Sequence, residues 1–266
     1  MSKSINIVII GTGNVAYHIA DSFKVNHDIK LLQVFNHRNT KEAKRYAQHF
    51  NCNLVTSYSA INTKADLYII AVKDDAIVEV LKNLTLLKLK GIVVHTSGSI
   101  DVNVLKQASE SVGVYYPLQT FFQEAIIDWK KTPLLIEANS KQTLAKLKKI
   151  AGSISEKVKV VTSENRLQIH LAAVFACNFT NAMYVTAYQI IEKNLSKKDT
   201  ELLVPIMLQS FEKLKDNHPL KSQTGPAMRN DTKVMKKHLA LLTSDKQLTK
   251  VYKTLSSLIE SQQKLK

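Results

Sequence analysis

The chain has 266 residues, 45% of them hydrophobic and 22% charged, which excludes a disordered, collagen-like or disulfide-scaffold protein and leaves room for two domains. Its 37 lysines and arginines against 22 acids give a formal charge of +15. Only Arg38, Arg45, Arg166 and Arg229 are arginine, so the charge reads as a solvated lysine surface rather than a nucleic-acid interface, which recruits arginine forks.

Residues 5–10 form a continuous apolar run, the pattern of a strand buried on both faces of a parallel sheet. A helical pattern follows over 14–24, a strand over 31–36, and a helix over 40–50 with Ala43 and Ala47 inward. Apolar runs at 53–55, 67–72, 92–95, 113–116, 134–137 and 157–161 predict further strands, with helices over 77–84 and 140–154. Strands alternating with helices imply right-handed crossovers and a doubly wound, mostly parallel α/β sheet. Beyond residue 163 the strand patterns stop, and 165–193, 199–215, 231–242 and 246–264 predict helices. The expected organisation is an α/β domain over 1–162 and an all-α domain over 163–266. Met-Ser-Lys-Ser is followed by a six-residue apolar run, too short for the core of a secretory signal, and the longest apolar run, 171–177, is too short to span a bilayer, so neither a signal nor a membrane span is expected. Cys52 and Cys177 show no metal-ligand spacing, so the sequence predicts a cytoplasmic protein without a metal site.

Gly11-Thr12-Gly13-Asn14-Val15-Ala16 reads G-x-G-x-x-A between a strand and a helix, the context of a dinucleotide-binding Rossmann turn. Gly11 permits the tight turn, Gly13 lets backbone approach a diphosphate, and the helix N-terminus presents N–H groups to it. The second strand should end on Asn36-His37-Arg38-Asn39-Thr40, with no acid for a ribose diol before Glu42. A guanidinium at Arg38, with Asn36 and His37 beside it, suits a 2′-phosphate, so NADP(H) is expected over NAD(H). Val72, Lys73 and Thr96 stand at carboxyl ends of predicted strands, where open α/β sheets bind ligands. Asp74 and Asp75 read as caps of the next helix.

Together with the glycine motif, three segments carry a family resemblance: Tyr116-Pro117-Leu118-Gln119-Thr120-Phe121, the stretch from His170 to Asn181, and Gln223-Thr224-Gly225-Pro226-Ala227-Met228-Arg229-Asn230-Asp231. In that order they resemble the NADP oxidoreductases that join a Rossmann-like domain to a C-terminal domain of unknown function, number 2520. That family is similar to pyrroline-5-carboxylate reductase and to 6-phosphogluconate-dehydrogenase-like enzymes. The resemblance implies a 6-phosphogluconate-dehydrogenase-like helical C-terminal domain, a homodimer formed through it, and hydride transfer between a nicotinamide and a small carbonyl or imine. A module that binds NADP(H) as a sensor without turnover is the alternative.

At 100° per residue, Arg166, His170, Cys177, Asn181 and Tyr188 fall within about 40° of one line, and Asn178 lies on its flank. Because 171–177 is apolar nearly all round, this helix is expected to be buried, with Cys177 an inert core thiol. Buried imidazoles and amides need partners, so this face serves either packing or chemistry. In the chemical reading, which the resemblance supports, His170 donates a proton while Asn178 and Asn181 orient the carbonyl or imine. Gln119 and Thr120 are substrate-side candidates by the same resemblance, whereas Tyr115, Phe121 and Phe122 read as core. Arg229 suits either a substrate carboxylate or a structural pair with Asp231. His238 reads as structural. The expected partner is a small, carboxylate-bearing molecule, with no nucleic acid and no membrane.

Overall fold

The computed structural model describes residues 4–122 and 124–264. Within these, eight strands form one sheet in the order β3-β2-β1-β4-β5-β6-β7-β8. They are β1 (Ile5–Ile10), β2 (Ile29–Phe35), β3 (Asn53–Val55), β4 (Leu67–Ile70), β5 (Ile92–His95), β6 (Val112–Pro117), β7 (Leu134–Ala138) and β8 (Val158–Val160). All neighbours run parallel except β6 and β7, which pair antiparallel with Tyr116 opposite Leu135. The order reverses between β1 and β4, so the crevice at their carboxyl ends is the switch point of the sheet.

The first-half helices are α1 (Asn14–Phe23), α2 (Lys41–His49), α3 (Asp74–Thr85) and α4 (Lys141–Gly152). Ile7, Ile9, Leu67, Ile69 and Val94 face α1 and α2 on one side, and Val8, Ile10, Tyr68, Ile70 and Val93 face α3 on the other. Burial on both faces is the reason β1 is an unbroken apolar run, and truncating one of these side chains to alanine costs roughly 2–5 kcal/mol. Thr40 and Ser140 start α2 and α4 by accepting from Ala43 N–H and Thr143 N–H, each at 3.1 Å.

The chain divides into two compact units, residues 1–180 and 181–266. Thr162 caps α5 (Ser163–Ala173), which continues through a π-helical segment, Val174–Phe179, into α6 (Thr180–Asn194). The second unit contains a 3₁₀ segment at Lys197–Leu203, α7 (Val204–Asp216), the short α8 (Pro219–Ser222), α9 (Thr232–Leu241) and α10 (Lys246–Gln263). Asp231 and Asp245 cap α9 and α10, and His238 Nδ1 lies 2.9 Å from Tyr252 Oη, joining the two helices.

Three expectations fail here. The helix at 171–177 is not a core helix: Leu171 and Phe175 are 56% and 59% exposed, and Cys177 is exposed as well. An all-apolar pattern demands cover, but the single chain does not supply it. Second, the π segment breaks the 100° step, because a π turn holds more residues than an α turn. The line drawn from His170 to Asn181 and Tyr188 therefore does not survive past Val174. Phe122 is also not core, being 59% exposed.

Candidate active site

The glycine loop is shaped by two opposite requirements. Gly11 has φ of +114°, and a Cβ there would run into the Ala71 carbonyl, so only glycine lets β1 turn beside β4. Gly13 is in ordinary extended conformation, and a Cβ on it would meet nothing within 4 Å. The space over Gly13 is thus open, no side chain caps α1, and no acid lies in its first turn. Uncapped N–H groups with open space before them are an anion cradle, and the residues fit a dinucleotide diphosphate. Thr12 and Val15 are half-buried and Asn14 is exposed.

Asn36 closes the end of β2 by donating its backbone N–H to Val55 O at 3.1 Å, leaving His37 and Arg38 exposed. Among the described residues Arg38 enters no ion pair. Glu42 is turned to its own helix start: hydrogen bonds from its own backbone and from Thr40 hold its carboxyl below the usual range. No acid therefore stands where a ribose diol would need one, and the guanidinium fits a 2′-phosphate.

The ends of β4 and β5 are laced together. Thr96 N–H donates to Ile70 O at 3.1 Å, beside half-buried Val72 and exposed Lys73. Asp74 does not cap α3: its Oδ2 accepts from Ser97 Oγ at 2.8 Å and Ser99 Oγ at 2.6 Å. Two hydroxyls converging from the β5 loop outcompete the helix start for this carboxylate. Ser97 Oγ in turn accepts from the backbone N–H of Ser99 and Ile100. His95, fully buried, accepts Ser97 N–H at Nδ1 over 3.2 Å, while among the described residues no side-chain or backbone group stands in hydrogen-bond geometry to its Nε2. Burial, reinforced by the Arg166 guanidinium, lowers this imidazole to about 4, so it is neutral at physiological pH.

His170 meets this edge of the sheet. Its Nδ1 lies 3.0 Å from Tyr116 Oη at the end of β6, and the two rings pack edge-on at 5.9 Å. A Cβ on buried Gly98 would stand 2.7 Å from His170 Cγ and Nδ1, so the ring rests directly on the β5 loop. One turn earlier Arg166 is fully buried, donating to Glu137 Oε2 at 2.6 Å, to Ser163 Oγ at 3.2 Å and to Ile100 O. This arginine is committed to holding α5, although the sequence placed it near the chemistry.

The loop after β6 is tied to the cofactor helix. Asn14 Nδ2 donates to Phe121 O at 3.1 Å, His18 Nε2 lies 2.8 Å from Phe122 O, and the Phe121 ring stacks on both His18 and Trp129. Gln119 and Thr120, just before this anchor, are exposed. Of the remaining candidates, Asn178 is exposed in the π segment, and Asn181 and Arg229 are exposed in the second unit. Arg229 makes no ion pair with Asp231, which caps α9 instead. The structure thus brings together the glycine loop, Val72, Lys73, Thr96 and His170 along one end of the sheet. Sequence reasoning missed Tyr116 and Gly98 as companions of His170; the available signal was their position at or just beyond the ends of predicted strands.

Among the described residues no helix is long and apolar enough to cross a membrane, and no cluster of metal-ligating side chains occurs. The family described as "NADP oxidoreductase coenzyme F420-dependent" matches residues 6–98, and the domain of unknown function 2520 matches 132–259. No curated protein sequence matches the chain. Among solved structures, a Bacteroides fragilis protein provisionally named an NADP oxidoreductase is 36% identical, with a TM-score of 0.90 over 97% of this chain and 99% of that one. A reductive aminase from Aspergillus terreus, in complex with NADPH and ethyl-5-oxohexanoate, shares the fold at 16% identity and a TM-score of 0.69, covering 97% and 93%. A pyrroline carboxylate reductase from Plasmodium falciparum with NADP bound does so at 13% identity and a TM-score of 0.59, covering 98% and 99%.

Proposed function

Because this chain belongs to the NADP oxidoreductase family that joins a dinucleotide-binding fold to the domain of unknown function 2520, we propose that it is an NADP(H)-dependent reductase of a small carbonyl or imine. The observation that carries this reading is the placement of His170 over the β5 loop, at the end of the same sheet that carries the open glycine cradle. When bound, the reduced nicotinamide supplies the hydride.

The chain's own residues supply binding and the proton. Backbone N–H groups of the Gly11–Val15 loop hold the diphosphate, and Arg38, flanked by Asn36 and His37, meets the 2′-phosphate. Val72, Lys73 and Thr96 border the reactive end of the cofactor. His170 gives a proton to the carbonyl oxygen or imine nitrogen as the adjacent carbon is reduced. Asn178 orients that group, and Gln119 and Thr120 line the substrate side.

We further propose a homodimer. Among the described residues of the second unit only Thr200, Ala227 and Ser256 are buried, while Ile206, Leu208 and Phe211 are each more than 60% exposed. Apolar surface of this extent calls for a partner; the π segment exposes Phe175 and Phe179, and α6 exposes Val185. Sedimentation of the purified chain should give twice the monomer mass.

The activity test follows NADPH oxidation with 1-pyrroline, pyruvate with ammonium, and a panel of aldehydes. His170→Ala should abolish turnover without loss of folding or of NADPH binding. Unchanged turnover would remove His170 as the acid, and NADPH binding with no turnover across the panel favours a sensor.

A further inference from the structure

Resting on the reading of His170 as the proton donor, we infer that Tyr116 is a positioning residue that occupies Nδ1 of His170 and so assigns the proton transfer to Nε2.

Four contacts support it. The Tyr116 backbone is held within the sheet, opposite Leu135 of β7, so the hydroxyl is delivered from a rigid strand end. That hydroxyl is 3.0 Å from His170 Nδ1, and among the described residues Nε2 has no hydrogen-bond partner. Gly98 lies against the Cγ–Nδ1 edge of the ring, which leaves Nε2 on the far edge. The helix that carries the ring is fixed separately one turn earlier, by Arg166 on Glu137 and Ile100. Backbone, ring edge and ring nitrogen are therefore each specified by a different neighbour.

Tyr116 is not itself the proton source. Burial, with Asp74 nearby, pushes its phenol above the ordinary value against the opposing influence of Arg166, so the hydroxyl keeps its proton. A hydroxyl both donates and accepts, which suits this role. It accepts from Nδ1–H of the imidazolium and of the neutral ring that the transfer leaves behind. In the transfer step the Nε2–H bond of the imidazolium breaks and its electron pair stays on Nε2. The proton passes to the substrate oxygen or nitrogen, and the ring remains neutral with Nδ1–H donating to Tyr116. Water then reprotonates Nε2.

The test uses the full chain with ¹⁵N-labelled histidine, in wild type, Tyr116→Phe and His170→Ala. The resonances missing from His170→Ala identify the ring. In wild type the neutral ring should carry its proton on Nδ1, with that nitrogen shifted by the hydrogen bond it donates to Tyr116. Tyr116→Phe, which keeps the aromatic ring, should abolish that Nδ1 shift and admit the second tautomer. An unchanged Nδ1 resonance in Tyr116→Phe overturns the proposal. This readout needs no substrate, so it decides the role of Tyr116 even where His170→Ala turns over normally and the proton-donor reading fails. With a substrate in hand, Tyr116→Phe should lower kcat about tenfold and leave the KM for NADPH unchanged. The double variant should be no slower than His170→Ala alone; a further fivefold loss would show that Tyr116 acts independently of His170 and also overturns the proposal.

Discussion

Arg166 Nη1 donates to Glu137 Oε2 over 2.6 Å, tying the first turn of α5 to the end of β7. The guanidinium is fully buried and, among the described residues, pairs with no acid but Glu137, which supplies its countercharge. Removing one member of a buried pair strands the other charge and costs about 3 kcal/mol or more. Glu137→Gln should therefore lower stability by about that amount in urea unfolding. A loss below about 1 kcal/mol would mean that water reaches the guanidinium and that α5 is held by packing.

His95 predicts a pH dependence of stability. Its imidazole is lowered to about 4 in the fold from an ordinary value of 6.5. The unfolded chain therefore binds more protons between these values, and the stability due to neutral His95 is complete above pH 6.5. It is lost as pH falls through the window down to 4, to a total of roughly 3 kcal/mol. His95→Asn keeps an acceptor for Ser97 N–H but does not titrate. The stability of wild type relative to His95→Asn should shrink between pH 7 and pH 4.5, and a constant difference would show that His95 titrates alike in both states.

The two glycines of the cradle should separate under mutation. Gly11→Ala forces a side chain into the Ala71 carbonyl at a φ of +114°, so thermal stability and NADPH binding should fall together. Gly13→Ala meets nothing in the protein, so the melting temperature should hold while NADPH affinity drops at least tenfold. Retained affinity in Gly13→Ala would mean that the diphosphate does not approach this backbone.

These cases show what the sequence could and could not disclose. The β1 run and the glycine turn were readable because burial on both faces and a positive φ leave few residue choices. Thr40 and Ser140 were readable as helix starts because capping is local. The π segment at Val174–Phe179 left no mark in composition, and it displaced the helical wheel used to align Asn181 with His170. Asp74 looked like a cap because its competitors, Ser97 and Ser99, lie more than twenty residues away. The Tyr116–His170 contact joins residues 54 apart, and only the sheet brings them together. The apolar helix at 171–177 announced a need for cover, yet Leu171 and Phe175 stand exposed.

Arg38 should govern the choice of dinucleotide. It is exposed at the end of β2 and, among the described residues, unpaired, with no acid beside it to bind a ribose diol. Arg38→Asp should weaken NADPH binding by tenfold or more and spare NADH, since only the 2′-phosphate loses its counter-charge. Fluorescence titration with both dinucleotides checks this, and equal losses would place the 2′-phosphate elsewhere.

Gly98→Ala tests the seat of His170 at the ring edge that also carries the Tyr116 contact. The new methyl would lie 2.7 Å from two ring atoms, closer than contact allows, so either the ring or the β5 loop must move. The loop is pinned by Ser97 and Ser99 on Asp74 and by the Ile100 carbonyl on Arg166, whereas the ring can swing about its χ angles. The ring should therefore yield, breaking the 3.0 Å bond to Tyr116 at a stability cost of about 1–3 kcal/mol. Turnover should fall at least tenfold with NADPH affinity unchanged, because the glycine cradle lies elsewhere on the sheet edge. Combining Gly98→Ala with Tyr116→Phe should cost little more than either alone, since both release the same ring. Additive losses would show that the two residues support the site by separate routes.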